Sequence, residues 1–159
     1  MKVKELMTHD VFTCPAQESL ASAARIMWEH DCGALPVVDE HQHLIGMLTD
    51  RDICMAAYIQ GKPLSGLTAG VPMAPSVFSA QPDDSIETIE KLMRTHQVRR
   101  VPVVDSEKRV VGMVSLNDIA REAEREDKQG RRREVTLEGV ARTLARICEP
   151  RPHGPIATP

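Results

Sequence analysis

The 159-residue chain has few aromatic residues, with one Trp, one Tyr and two Phe. A surface that stacks single-stranded nucleic acid bases needs several exposed aromatic rings, so the composition argues against that class of protein. The hydrophobic core must instead be built from Val, Ile, Leu, Met and Ala. With 20 basic and 23 acidic residues the net charge is −3, and no overall field attracts nucleic acid or an anionic membrane.

Long apolar segments and paired cysteines are also absent from the sequence. No run approaches the roughly 20 apolar residues of a membrane-spanning helix, and residues 1–6 lack the apolar core of a signal peptide. We therefore expect a cytoplasmic protein. The four cysteines, at positions 14, 32, 54 and 148, have no Cys-x-x-Cys spacing, which disfavours a zinc site or a dithiol redox motif. We expect no bound metal.

Motifs of the common enzyme classes are missing as well. The chain has no Gly-rich phosphate loop with its Lys, no zinc-protease His pair, and no Ser or Cys in a recognisable nucleophile motif. We expect a protein that is not an enzyme and that requires no cofactor.

What the chain does contain is an internal repeat. Residues 7–53 align without gaps on residues 73–119, a shift of 66 residues, and 14 of these 47 positions are identical. The strongest match joins Leu-Pro-Val-Val-Asp at 35–39 to Val-Pro-Val-Val-Asp at 101–105. One copy alone would bury little apolar surface, so we expect the two copies to form one stable globular module.

Each copy predicts the order β-α-β-β-α. In the first copy this gives a short strand over 11–13, an amphipathic helix that begins after Ser19, buried strands over 35–38 and 44–48, and a helix that begins at Thr49. We expect an α/β (α+β) fold with domains at 1–62 and 63–125.

Residues 126–159 follow the second copy and are predicted to form a charged linker, an amphipathic helix and a disordered tail. The linker contains three arginines at 131–133, which acidic neighbours mark as solvated surface rather than a nucleic-acid site. The helix spans 136–148 and begins at Thr136. Its apolar face could cover the core of its own subunit or add to a dimer interface, and the sequence favours neither.

The junction between the last strand and last helix of each copy carries a recurring polar motif. It places Thr49 three residues before Asp52, and Ser115 three residues before Asp118. Such a pair is typical of a helix capping box, worth about 1 kcal/mol. It also suits a nucleotide, because a helix N-terminus attracts phosphate and a carboxylate accepts hydrogen bonds from ribose hydroxyls. The sequence alone leaves both interpretations open.

The combination of these motifs resembles the CBS domain, the cystathionine β-synthase motif. The resemblance rests on Val-Phe-Thr at 11–13, Gly-Ala-Leu-Pro-Val-Val-Asp at 33–39 and Gly-Met-Leu-Thr-Asp-Arg-Asp-Ile at 46–53, and it extends over residues 1–125. Two such domains in tandem are similar to the Bateman module of small stand-alone bacterial proteins. The resemblance implies a disk-like, pseudo-twofold pair of repeats with two ligand clefts between them.

Carried over to this chain, the family pattern implies two composite nucleotide-binding sites. The first would comprise Asp52, Thr49, Ser79 and the backbone near Val98. The second would comprise Asp118, Ser115, Thr13 and the backbone at Cys32, Gly33 and Ala34. Aliphatic side chains would sandwich the base, among them Val11, Val77, Ile53 and Ile119. Arg99 and Arg100 are similar to phosphate-binding residues in the γ-subunits of AMP-activated kinase, and we expect at least one of them to contact phosphate.

The resemblance also implies ligands and partners. We expect AMP, ADP or ATP as the ligand, a homodimer, and a regulated protein that responds to the ligand-induced change in conformation. Two alternatives stay open. The protein could be a ligand-independent stress or interaction protein that acts as a homodimer, or it could bind another adenosyl ligand such as S-adenosylmethionine.

Overall fold

The order of helices and strands follows the duplicated sequence. The computed structural model describes residues 1–129 and 134–150; the arginines at 131–133 and the predicted disordered tail at 151–159 lie outside the described residues. The first repeat contains β1 (Cys14–Pro15), α1 (Leu20–Glu29), β2 (Ala34–Val38), β3 (Leu44–Thr49) and α2 (Asp50–Gln60). The second contains α3 (Ile86–His96), β4 (Arg100–Val104), β5 (Val110–Ser115) and α4 (Leu116–Gln129), and α5 (Leu137–Ile147) follows it. Short 3-10 helices span Val3–Glu5 and Leu64–Gly66.

Two small sheets meet on the local symmetry axis. The first has the order β1-β2-β3, with β1 parallel and β3 antiparallel to β2; the second is the antiparallel pair β4-β5. A single parallel bridge between Ala80 and Val103 takes the place of β1 in the second repeat. His43 and Arg109 form an antiparallel bridge between the sheets. Because these two positions are equivalent in the repeat, the mixed α/β fold has the expected pseudo-twofold symmetry.

Most predicted element boundaries are confirmed. Helix α1 begins after Ser19, whose side chain accepts a hydrogen bond from the Ser22 backbone N–H at 3.1 Å. Helix α5 begins after Thr136, whose side chain accepts from the Gly139 N–H at 3.0 Å. Every residue of β2 is buried, as its continuous apolar run predicted.

The first strand of the chain lies later than the sequence predicted. Residues 11–13 do not form a strand, and β1 begins at Cys14, which is fully buried against β2. Phe12 instead stacks face to face on His30 at the end of α1, with ring centroids 3.6 Å apart. This stack lays the segment across the helix end, so ladder pairing starts only beyond it.

The segment that precedes each repeat packs into the core of the other repeat. Val3 is fully buried in the second core, where its N–H donates to the Asp84 carbonyl at 2.9 Å. Thr8 forms a bridge with Met113 of β5. The N-terminal residues therefore belong, by packing, to the second repeat.

The equivalent segment between the repeats packs on the first repeat. Leu67 and Ala69 are buried in the first core, and the Leu20 N–H donates to the Leu67 carbonyl at 2.8 Å. Ala74 forms a bridge with Met47 of β3, which mirrors the Thr8 bridge. The hydrophobic cores therefore cross the sequence boundary at 62 and 63. We keep 1–62, 63–125 and 126–159 as a proposed division of the sequence.

The exchanged segments explain the glycine in the middle of β3. A Cβ atom at Gly46 would stand 2.6 Å from Met73 Sδ and 3.3 Å from the Ala74 carbonyl oxygen. Gly112 of β5 lies in the same way beneath Met7. A Cβ atom at Gly112 would stand 3.2 Å from the Thr8 carbonyl oxygen. Glycine is needed at both places because another backbone passes close over the strand.

Helix α5 covers the second repeat of its own subunit. It packs against α3 and α4, and Val140 and Ile147 contact the second core. The fully buried Thr143 accepts a hydrogen bond from Arg94 Nη1 at 2.9 Å. Just before α5, Glu126 accepts from two consecutive backbone N–H groups, those of Glu134 and Val135, at 2.8 and 3.0 Å. The inner face of α5 thus takes the first of the two roles that the sequence left open.

Truncation of Val3 tests the exchange of segments. Val3→Ala removes two methyl groups from a fully buried site, and we expect a loss of about 1–2 kcal/mol in the free energy of unfolding. Urea denaturation measures it. Val71→Ala is the matched control, since Val71 is 58% exposed, and it should cost little. Equal effects of the two substitutions would contradict the packing of the N-terminal segment.

Glu90 on α3 makes stability depend on pH. Burial beneath α5 raises the pKa of its carboxyl group, which Arg94 opposes only in part, and Oε1 has no hydrogen-bond partner within the described chain. The folded state then holds this proton more tightly than the unfolded chain, so the group lowers stability as the pH rises above the ordinary Glu range.

Replacement of Glu90 by Gln removes that penalty. We expect Glu90→Gln to stabilise the protein at pH 7 by roughly 1 kcal/mol, about 2–4 °C in Tm, and to do so much less at pH 4. Differential scanning calorimetry at both pH values measures it, with exposed Glu29→Gln as the control. A gain of the same size at both pH values would contradict the assigned cause.

Candidate functional site

The polar motif at the start of α2 forms a complete capping box. The Thr49 N–H and hydroxyl donate to Asp52 Oδ2 at 2.9 and 2.6 Å, and the Asp52 N–H donates to Thr49 Oγ1 at 3.2 Å. Ser115 and Asp118 repeat this arrangement at 2.8, 2.6 and 3.3 Å. One carboxylate oxygen and the hydroxyl are thus used within each box. The other carboxylate oxygen of each Asp is not used within its box.

The two boxes differ in that second oxygen. Asp118 Oδ1 is paired with the Arg121 guanidinium, one turn further along α4. Asp52 Oδ1 has no hydrogen-bond partner among the described residues. The first repeat carries Met55 at the position of Arg121, which leaves the Asp52 carboxylate available.

The start of β2 lies beside the capping box of its own repeat. The sheet register places Ala34 opposite Thr49, and the Asp50 N–H donates to the Gly33 carbonyl at 3.3 Å. The reason is that β2 and β3 form a hairpin within one repeat, which brings the beginning of the first strand to the end of the second. That Cys32–Ala34 also faces Asp118 and Ser115 stays a prediction.

The corresponding residues of the second repeat obey the same rule. Arg100 is opposite Ser115 in the register of β4 and β5, and the Leu116 N–H donates to the Arg99 carbonyl at 2.9 Å. The Val98 N–H donates to the Met93 carbonyl at 3.2 Å, which ties this backbone to the end of α3. Arg99 thus lies beside the capping box of its own repeat, and the expectation that the backbone near Val98 lines the Asp52 site stays a prediction.

Arg100 is the side chain that reaches from the second repeat to the first. Its Nη2 stands 3.4 Å from the Cβ position of Gly33, and Asp50 Oδ2 stands 3.0 Å from the same point. A side chain at Gly33 would push these groups apart, so glycine allows a guanidinium and a carboxylate to lie together beside β2. Arg99, in contrast, is exposed.

A cleft opens at this point between α1 and α2. We call it the helix-side cleft; it encloses about 700 Å³ and is lined by Ala24, Met27, Trp28, Asp31, Cys32, Gly33, Asp50, Ile53 and Arg100. Four of the residues predicted from the sequence, Cys32, Gly33, Ile53 and Arg100, meet here. Asp52 lies next to one of the lining residues in the chain. Trp28, Asp31 and Asp50 were not predicted, because nothing repeats at their positions in the second copy.

A second cleft lies between β3 and the segment that leads to the second repeat. We call it the strand-side cleft; it encloses about 640 Å³, and its lining includes Leu44, Ile45, Val77, Ser79, Ala80 and Asp84. Ser79 and Val77 thus lie across this cleft from Leu44 and Ile45 of the first repeat. Thr49, Asp52, Ser115 and Asp118 line neither of the two clefts. Thr13 is half-buried and directly follows the Phe12 stack.

The Phe–His stacks are a repeated feature that sequence reasoning missed. Phe78 stacks on His96 with ring centroids 3.3 Å apart, as Phe12 does on His30. The signal was present, because both the Phe and the His recur at the 66-residue shift. The stacks fix the segments that carry Thr13 and Ser79, the residue after each Phe.

Two cysteines have thiols that are hard to ionise. Burial, with a smaller contribution from Glu18, raises the pKa of Cys14 to about 11. Burial also raises the pKa of Cys32, although the Ala34 backbone and Arg100 oppose the shift. All four cysteines are free thiols. Because Cys32 lines the helix-side cleft, the rate of its alkylation reports on that cleft.

Comparison with known proteins identifies the family of this fold. A family model described as "CBS domain" matches residues 3–58 and 69–125. The chain belongs to the CBS domain family. The match covers both repeats.

Relatives of this CBS pair include proteins of similar size. Hypoxic response protein 1 of Mycobacterium tuberculosis is 42% identical over 118 residues, which are 74% of this chain and 82% of that protein. A crystal structure of Hypoxic Response Protein I with two coordinated zinc ions has a TM-score of 0.70 at 38% identity and covers 76% of this chain and 98% of its own. The CBS domain pair of protein MJ0100, solved with 5′-methylthioadenosine and S-adenosyl-L-methionine, has a TM-score of 0.69 at 34% identity, over 77% and 94%.

Residues 1–129 and 134–150 contain neither a metal-ligand cluster nor a membrane-spanning helix. No group of three or more His, Cys, Asp or Glu side chains in that part of the CBS pair could hold a metal ion. His43 contacts Asp39 Oδ2 through Nδ1 at 3.0 Å. None of the described helices is long and apolar enough to cross a membrane.

Alkylation kinetics test the environments of the two buried thiols. With a pKa of about 11, Cys14 is thiolate to roughly one part in a thousand at pH 8, so iodoacetamide should leave it unmodified while Cys32 reacts slowly. Peptide mass spectrometry follows each site, and urea-unfolded protein is the control in which both react alike. Equal rates in the native protein would contradict the assignment.

Proposed function

We propose that this CBS pair is a non-catalytic regulatory module that binds an adenosine nucleotide, AMP, ADP or ATP, between its two repeats. The observation that carries the proposal is the available Asp52 carboxylate oxygen beside a cleft into which Arg100 of the other repeat extends. A carboxylate suits the vicinal hydroxyls of a ribose, and a guanidinium suits a phosphate.

The first repeat supplies the better site. Its ligand set would be Asp52, Thr49 and the backbone at Cys32, Gly33 and Ala34, with Arg100 for phosphate. Ser79 and Val77 line the separate strand-side cleft. In the second repeat Arg121 already engages the Asp118 carboxylate, and the side chain of Gln97, just before Val98, donates to the Arg146 and Glu149 carbonyls at the end of α5. We therefore propose that Asp118, Ser115, Thr13 and Arg99 form the weaker site.

Ligand binding at Arg100 would change the relative positions of the two repeats. The guanidinium belongs to β4, whereas Gly33 and Asp50 belong to the first repeat, so a phosphate at this point engages both halves. Differential affinity for two arrangements shifts their populations and can be transmitted to a regulated partner protein. The module would act as a cytoplasmic homodimer and require no cofactor for folding.

The relatives support an adenosyl ligand in general. The CBS pair of MJ0100 was solved with two adenosyl compounds, and it is 34% identical to this chain. S-adenosylmethionine is therefore the second ligand class to test.

A ligand-independent interaction protein is the other candidate function. Trp28 and Tyr58 are 88% and 82% exposed, which favours a contact with another protein surface. In that case the clefts would stay empty in function, and binding assays would show no adenosyl ligand.

Thermal shift measurements distinguish these functions. We expect AMP, ADP or ATP at millimolar concentration to raise Tm. At a hundredfold excess over Kd, binding stabilises the folded state by roughly 3 kcal/mol. Asp52→Asn should abolish most of the shift. Asp118→Asn is the matched control, because it weakens the equivalent capping box and should keep the shift. No shift with any nucleotide or with S-adenosylmethionine would contradict the proposal.

Protection of Cys32 locates the ligand. A nucleotide that binds beside Gly33 and Arg100 should slow alkylation of Cys32 at least several-fold, and Arg100→Ala should remove this protection. A Tm shift without protection would place the ligand in the strand-side cleft and overturn the assignment of Arg100.

A further inference from the structure

Helix α5 lies over the second repeat at the place where the helix-side cleft lies in the first. The 66-residue shift of the duplication relates the two places residue by residue. Three lining residues of the helix-side cleft have these equivalents in the second repeat: Glu90 for Ala24, Arg94 for Trp28 and Gln97 for Asp31. Each of the three equivalents contacts α5.

Two of these contacts join α5 to the middle of α3. Arg94 Nη1 donates to the hydroxyl of the fully buried Thr143 at 2.9 Å. Glu90 Oε1 stands 3.2 Å from the Cβ position of Gly139, so the glycine lets the first turn of α5 approach the carboxylate closely. The helix therefore occupies the space directly above these two charged side chains.

The third contact holds the end of α5. Gln97 Nε2 donates to the carbonyls of Arg146 and Glu149 at 3.2 and 2.9 Å. Gln97 and Asp31 have the same backbone conformation, with φ of 51° and 49°. The two repeats thus present equivalent backbones at this point, and the second repeat is closed here by a segment of its own chain.

The surface beneath α5 is more polar than the packing of a helix requires. It contains the Arg94 guanidinium and the Glu90 carboxylate, whose side chains are only 28% and 15% exposed. Glu90 Oε1 has no hydrogen-bond partner within the described chain. Burial of charged groups with incomplete hydrogen bonding costs free energy, so these groups oppose the docking of α5. A guanidinium at the base of a groove is suited to bind phosphate.

The attachment of α5 allows the helix to separate while the second core stays intact. Val135 is buried, and Glu126 of α4 accepts hydrogen bonds from the backbone of Glu134 and Val135, which fixes the segment before the helix. Beyond this anchor the apolar contacts of α5 with the core come from the half-buried Val140 and Ile147. Elements with few buried apolar contacts open locally at low free energy.

We propose that α5 is a displaceable cover over a second nucleotide site. This site is the groove between α3 and α4, which we call the covered cleft, and it binds an adenosine nucleotide when α5 leaves it. The inference rests on the proposed function and adds to it a site that α5 regulates. Because α5 and the ligand occupy the same groove, each lowers the affinity of the groove for the other by the same factor. Ligand at high concentration therefore releases α5, whose inner side can then contact a regulated partner.

The covered cleft is less acidic than the helix-side cleft. The two carboxylates of the helix-side cleft belong to Asp31 and Asp50. Their equivalents in the second repeat, Gln97 and Leu116, carry no charge, and Arg94 adds a guanidinium. We therefore expect additional phosphate groups to strengthen binding more at the covered cleft than at the helix-side cleft.

Substitutions on opposite sides of α5 test whether the helix is a cover. Val140→Asp places a charge against the second core and should release α5, so that amide hydrogen exchange over residues 137–147 becomes roughly tenfold faster or more. Ile147→Asp does the same from the other end of the helix. Ala145→Asp is the matched control at an exposed position, and exchange should change little, although Ala→Asp costs more helix propensity than Val→Asp.

Equilibrium dialysis with radiolabelled AMP, ADP and ATP, each tested in turn, counts the bound nucleotides. At a concentration that saturates the helix-side cleft, the unmodified protein and Ala145→Asp should bind one equivalent per chain. Val140→Asp and Ile147→Asp should bind two. A single equivalent in both of these variants, although their α5 exchanges freely, would overturn the proposal. Two equivalents in the unmodified protein with α5 still protected from exchange would also overturn it.

The Asp52→Asn substitution separates this proposal from the proposed function. It removes the carboxylate beside the helix-side cleft, so the single variant should bind almost no nucleotide, whereas Asp52→Asn combined with Val140→Asp should keep one equivalent. If the combined variant bound none while Val140→Asp bound one, the helix-side cleft would stand and the covered cleft would be refuted. If no protein of the set bound any nucleotide, the proposed function and the covered cleft would both be wrong.

Discussion

The reciprocal packing of the two short segments that precede the repeats is the constraint on which the module depends. Val3 completes the second core and Ala69 the first, and Met7 and Met73 close over a glycine in the opposite strand. Neither repeat therefore has a complete hydrophobic core from its own sequence unit. The exchange fixes the relative position of the two sheets, which meet at His43 and Arg109, and so determines where the clefts between the repeats lie.

The duplication preserved the fold but not the surfaces. Equivalent capping boxes differ in one neighbour, because Arg121 engages Asp118 while Met55 leaves Asp52 available. Equivalent helix pairs differ in their cover, because α5 occupies the groove of the second repeat only. A symmetric scaffold has thus acquired one open cleft and one apolar face in its first half. The ligand site that we propose follows from this asymmetry.

The repeat, the element order and the capping boxes could be predicted because they depend on local patterns. Ser19, Thr49 and Thr136 each begin a helix as expected, since a cap hydrogen bond joins residues three apart. The first strand was misplaced because the Phe12–His30 stack joins residues distant in sequence. Hairpin register decides that residues 32–34 lie beside the capping box of their own repeat.

Backbone conformation was likewise not evident from residue type. Asp31 and Gln97 occupy equivalent positions and both have a positive φ, near +50°, although neither is glycine. The sequence by itself determined the duplication, the helices with their caps, the buried strands and the family. The tertiary structure decided which segment completes which core, that Arg100 crosses to the first repeat, and that α5 covers only one of two equivalent grooves. These features arise from contacts between residues far apart in the chain, for which a local pattern carries no signal.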